Sequence, residues 1–123
     1  NPHLTICPSF EYMADALRQT LHKLIDEEAI APERIVILSP YRHTNSQSTW
    51  AEGLKSVDLH TEMNIMVKGK IRIGTIQSFK GLESDVVILA GLTKQSLTQD
   101  ELLYVATSRA KAALYVFSLS ALS

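Results

Sequence analysis

The sequence predicts an α/β domain in which a parallel sheet is flanked by helices in three layers. Three observations predict it. Two runs, Ile35-Val36-Ile37-Leu38 and Val86-Val87-Ile88-Leu89-Ala90, are apolar at every position, as in parallel strands covered on both faces. Strand-like runs alternate along the chain with segments of helical period, which favours right-handed β-α-β crossovers. No internal repeat or linker divides the 123 residues, a length that suits one domain with its own core.

Taken in order, residues 4–7 are a β-prone run closed by Pro8 and Ser9. Phe10, Met13, Ala14, Leu17, Leu21, Leu24 and Ile25 then fall on one helical stripe. After the breaker Ala31-Pro32 the spacing predicts a strand over 34–38, which makes the opening unit β-α-β. Residues 39–48 are rich in hydroxyls and amides, with Pro40 and Asn45 as turn formers, and lead into a short helix over 49–55. Ligands collect at the carboxyl ends of strands in open α/β sheets, so this loop is a binding candidate. Residues 63–67 read as a short strand and 68–70 as a turn, followed by strands over 71–76 and 85–90. Thr98 and Glu101 have the spacing of a capping box, which predicts a helix over 99–110 before a last strand over 113–118.

Composition narrows the function. The apolar fraction of 46% and charged fraction of 20% are those of a globular protein. A formal net charge of -1 excludes the uniformly basic surface of a dedicated duplex binder, so any nucleic-acid contact must be local. The single Cys7, within an apolar run, has no partner in the chain and reads as a small buried hydrophobe, which fits a reducing compartment. His3, His22, His43 and His60 lack the short spacing of a metal site, so no metal is expected on this chain alone. With neither a membrane-length apolar run nor a signal core, the expectation is a cytoplasmic protein. The chain starts at Asn1 rather than Met and enters a strand at once. That fits a piece of something longer, though processing would give the same start.

Two polar clusters stand out against this background. Gln77, Ser78, Lys80, Gly81 and Glu83 lie between two buried strands; a solvated turn and a binding loop both explain them, with Gly81 allowing a tight turn or close backbone approach. Lys80 lacks the GxxxxGK[ST] frame, so it belongs to no Walker A loop. In the last helix Leu102, Val105 and Ala106 form a stripe whose next position is Arg109. Such an arginine either lays its stem on the core with its head in water or aims a planar, permanently charged fork at a phosphate.

Residues 75–89, TIQSFKGLESDVVIL, resemble the fifth motif of the UvrD/Rep-type superfamily 1 helicases, with its Thr-x-x-x-x-Lys-Gly-Leu-Glu core before a hydrophobic strand. Residues 102–111, LLYVATSRAK, resemble the sixth, in which a Tyr-Val-x-x-Thr-Arg-Ala core precedes the last strand. More loosely, residues 35–48 resemble the strand and polar loop between the family's fourth and fifth motifs. The resemblance implies a RecA-like fold, that of the second domain of a P-loop NTPase helicase. It also implies that residues 1–123 are the compact C-terminal part of a longer helicase without the accessory insertion.

What the family implies is carried by position. Arg109 matches the arginine that reaches the ATP γ-phosphate across the interdomain cleft, and Glu83 the glutamate that contacts the ribose; Lys80 and Gly81 complete the nucleotide-side turn. Thr75, Gln77 and Ser78 match residues that touch single-stranded DNA, and Tyr41 and Arg42 fall in a loop where nucleic-acid contact is expected. The chain departs from the family with Gln77 in place of the usual His and Ala106 in place of the common Gly. ATP and Mg2+ would be held mainly by a first RecA-like domain of the same protein, so this chain alone is expected to be inactive. The expected track is single-stranded DNA, with RNA left open. A non-catalytic RecA-like module for nucleic-acid or protein docking is the alternative, and a small flavodoxin-like ligand-binding domain would also fit the element order.

Overall fold

A computed structural model of the chain describes residues 3–40, 49–54, 57–93 and 108–119. Strand β1 (His3–Cys7) leads into helix α1 (Phe10–His22), which continues as a π turn over Lys23–Glu27. A 3-10 turn over Pro32–Arg34 precedes β2 (Ile35–Ser39), and a short helix α2 (Thr49–Glu52) precedes β3 (Leu59–His60). Strand β4 (Ile71–Thr75), a 3-10 turn over Gln77–Phe79, β5 (Ser84–Leu92) and β6 (Ala110–Leu119) follow.

The six strands form one sheet in the order β1-β6-β5-β2-β4-β3. Every pairing is parallel. Period-2 alternation sends neighbouring residues of each central strand into two separate cores. Ile35, Ile37, Ile73, Val86 and Ile88 pack on one face with Met13, Leu17 and Leu21 of α1. Val36, Leu38, Val87, Leu89 and Val116 pack on the other face with Ile76 and Phe79. Both faces are therefore dry, as the all-apolar runs require, and each such side chain contributes roughly 1.5–3 kcal/mol by leaving water. Helix α1 buries the stripe expected of it, and its first turn is fixed by Ser9, whose Oγ accepts from the Tyr12 N–H at 3.1 Å. Cys7 is fully buried, and burial raises its thiol pKa above the ordinary value.

Two expectations need correction. Residues 63–67 are not a strand; the edge position is taken instead by the two residues of β3, with Leu59 beside Ile71 and His60 beside Arg72. The Met63 side chain turns inward and its carbonyl accepts from Arg72 Nη1 at 2.8 Å. The helix forecast over 99–110 does not reach its expected end, because residues 108–109 are a turn and Ala110 already belongs to β6, paired with Ser84. The last strand starts three residues before its expected position because it matches the amino end of the long β5. The remainder of that helix, with Leu102, Val105 and Ala106, lies outside the described residues.

Trp50 seals the carboxyl end of the first core over Gly91, which has φ of 73°. A Cβ on Gly91 would sit 2.6 Å from Trp50 Nε1. Gly91→Ala is expected to cost about 2–4 kcal/mol, the sum of a left-handed alanine and an overpacked core. Urea unfolding followed by the fluorescence of Trp50, the sole tryptophan, measures it.

Candidate functional site

Register splits the first polar cluster between opposite edges of the sheet and brings its Glu83 to the edge that holds Arg109. Ile37 is level with both Ile73 and Ile88, so Thr75 lies at the height of Ala90, at the carboxyl edge. Ser84, six residues before Ala90, opens β5 at the amino edge. Residues 76–83 therefore carry the chain back across about 20 Å of sheet, at about 3.3 Å per strand residue. Thr75, Gln77 and Ser78 stay above; Glu83 arrives below.

At the amino edge, β5 and β6 begin side by side. The Ser84 N–H donates to the Arg109 carbonyl at 3.0 Å, and Ser84 is paired with Ala110. Glu83 and Arg109 are thereby the last residues before two adjacent strands. Glu83 is exposed and Arg109 half-buried. The Arg109 Nε is buried with no hydrogen-bond partner, and among the described residues no carboxylate ion-pairs with it. The buried Ser84 adds a second tie through its Oγ, which donates to the Arg34 carbonyl at 2.7 Å and fixes the start of β2. Asp85 then bridges Arg34 Nε at 3.2 Å and Lys111 Nζ at 3.7 Å. The amino ends of three neighbouring strands are laced together under Glu83 and Arg109.

The Lys80-Gly81 pair makes the return possible. Lys80 has φ of -60° and ψ of 130°, Gly81 has φ of 81°, and the Leu82 N–H donates to the Phe79 carbonyl at 3.1 Å. These are the marks of a type II turn with Lys80 and Gly81 at its centre. A Cβ on Gly81 would meet nothing within 4 Å, so glycine is needed for its backbone conformation and not for space. The Lys80 side chain is exposed. Its place in the turn, rather than any contact within the chain, is what the geometry explains.

At the carboxyl edge the Ile76 N–H donates to the Ser39 carbonyl at 2.9 Å, anchoring the 3-10 turn to β2. The Ser78 N–H donates to Thr75 Oγ1 at 3.1 Å, and Ser78 Oγ donates to the Thr75 carbonyl at 2.7 Å. Thr75 and Ser78 therefore brace each other, while Gln77 and Ser78 remain exposed. Tyr41 and Arg42 lie outside the described residues.

The sequence reading missed Arg72. It is 4% exposed, and its guanidinium carbon lies 5.2 Å from the centroid of the Phe79 ring, in cation–π range. Its Nε has no hydrogen-bond partner, nor has Nε2 of the register-paired His60. Burial lowers the Arg72 pKa. A charged residue between Ile71 and Ile73 was the available signal. Arg72 also lines a cavity of about 260 Å³ with Arg34, Glu83, Asp85 and Lys111. Among the described residues no three His, Cys, Asp or Glu side chains converge as a metal site.

Replacement of Gly81 by alanine should cost roughly 1–2 kcal/mol through the left-handed conformation alone, with asparagine losing less. Thermal melts of the Gly81→Ala and Gly81→Asn chains test this order; equal losses would contradict a conformational role.

The family described as the UvrD-like helicase C-terminal domain matches residues 70–117, which include both polar clusters. No curated protein matches the chain. Among solved structures, the C-terminal domain of a possible DNA helicase from Lactobacillus plantarum WCFS1 is 20% identical with a TM-score of 0.72, over 96% of this chain and 73% of that one. The C-terminal part of the Fun30 ATPase domain is 14% identical with a TM-score of 0.53, over 88% of this chain and 40% of that one. At these identities the two structures establish a shared fold, a parallel α/β sheet of the RecA-like kind. Residues 70–117, which hold the turn at Lys80-Gly81 and the paired starts of β5 and β6, match the UvrD-like helicase C-terminal domain family.

Proposed function

We propose that this chain is the second motor domain of an ATP-dependent DNA helicase or translocase, acting with a first RecA-like domain of the same protein. One observation carries the reading: the paired starts of β5 and β6 set Glu83 and Arg109 side by side at one edge, while Thr75, Gln77 and Ser78 occupy the other. A motor domain must answer to nucleotide at one surface and to its track at another. The crossover over 76–83 joins these surfaces directly.

In this mechanism the first domain holds the ATP phosphates. Glu83, exposed at the amino edge, accepts hydrogen bonds from the ribose hydroxyls, and the Lys80-Gly81 turn sets its approach. Cleft closure brings the Arg109 guanidinium to the γ-phosphate, where a fixed cation stabilises charge spread over the transferring phosphoryl oxygens. Its backbone is held by Ser84, and its side chain has no competing ion pair among the described residues. At the opposite edge, the Thr75–Ser78 hydrogen bonds hold a polar turn against single-stranded DNA, and Tyr41 and Arg42 add the nucleic-acid contact that the resemblance implies for them. Movement of the crossover transmits closure to the track.

Arg109→Ala in the full-length protein should lower DNA-stimulated ATP turnover by about 10³-fold or more and leave ATP binding largely intact. Steady-state ATPase assays beside nucleotide-binding titrations test it. Near-normal turnover would overturn the assignment and favour a non-catalytic docking module.

A further inference from the structure

The cavity at the amino edge has a chemistry that the motor reading uses only at Glu83. It is bounded by three cations, Arg34, Arg72 and Lys111, and two carboxylates, Glu83 and Asp85. Asp85 is already engaged by Arg34 at 3.2 Å and Lys111 at 3.7 Å, and Glu83 is an exposed residue. Arg72 is the unmatched charge: it is 4% exposed, hydrogen-bonds the Met63 carbonyl, and has no carboxylate partner among the described residues. Its Nε and the Nε2 of its strand neighbour His60 are both buried without partners.

Burying a cation without an anion is costly, and a buried donor left unpaired adds to that cost. Apolar residues of similar volume would fill the site at no such penalty. The volume of about 260 Å³ falls below the range of pockets for drug-sized ligands and suits a small polar group. We infer that the cavity under the crossover is an oxyanion site, taking a phosphate either as the free ion or as the terminal group of a nucleotide. Arg72 is its buried anchor, and Arg34 and Lys111 form a gate of charge held by Asp85. The inference stands independently of the role proposed for Arg109.

The signature is a pair of opposite effects. Lys111→Gln removes a cation and should weaken binding roughly two- to five-fold, as expected of a partly exposed charge. Asp85→Asn removes the competing carboxylate and should tighten binding by a similar factor. Neither residue lies in the hydrophobic cores, so both variants test the site without opening a core, while Arg72→Gln should abolish binding if it folds. The measurement is a titration of the isotope-labelled full chain with inorganic phosphate, followed by the amide resonances of Arg72, Ser84 and Asp85. Saturation at these residues, with the opposite shifts in the two variants, is expected. Saturation by ATP at far lower concentration than phosphate would identify a nucleotide phosphoryl group, and similar concentrations the free ion. Linear shifts that sodium chloride reproduces, or an Asp85→Asn variant that binds more weakly, would overturn the proposal.

Discussion

The arrangement depends on one constraint, the parallel register in which β5 and β6 begin together. The Ser84 amide bonded to the Arg109 carbonyl makes two residues that lie far apart in sequence into neighbours. Everything at the amino edge inherits that alignment. Asp85, one residue beyond, can reach Arg34 on one side and Lys111 on the other only because β2, β5 and β6 start at nearly the same height. The individual ion pairs are partly exposed and worth little alone. Their geometry reports the register more than it stabilises the fold, which rests on the two apolar cores.

The crossover over 76–83 is the second consequence. Parallel strands need a connection that returns the chain from one edge to the other, and here it does so with a 3-10 turn and a type II turn instead of a full helix. Phe79 fixes the middle of the crossover by burying its ring in the second core and against the Arg72 guanidinium. Both ends are polar: Gln77 and Ser78 above, Glu83 below. A segment this short, pinned at its centre, cannot shift at one end without strain or rotation at the other. That mechanical economy is what the proposed coupling between nucleotide and track would use.

Much of this was legible in the sequence. The stripe from Met13 to Leu24 and the two all-apolar runs mark α1, β2 and β5 because helical and double-sided burial leave clear periods. The Lys80-Gly81 turn was readable because φ above zero selects glycine. By contrast, β3 has only Leu59 and His60, too few residues to show any alternation. The end of the 99–110 helix was misplaced because local spacing does not reveal that Ala110 pairs with Ser84. Arg72 was passed over for a related reason. A cation near a Lys68-Gly69-Lys70 turn reads as solvated, and only the sheet shows that it points under Phe79. The site is thus half local motif and half register, and the second half is invisible until the strands are ordered.

The central claim is that the two edges serve different ligands. In the full-length protein, Glu83→Gln and Ser78→Ala compared by ATP turnover over a series of single-stranded DNA concentrations test it most directly. The account predicts that Glu83→Gln alters the response to ATP at saturating DNA without moving the DNA concentration for half-maximal stimulation, whereas Ser78→Ala raises that concentration and leaves ATP affinity unchanged. Both variants moving the same parameter would contradict it.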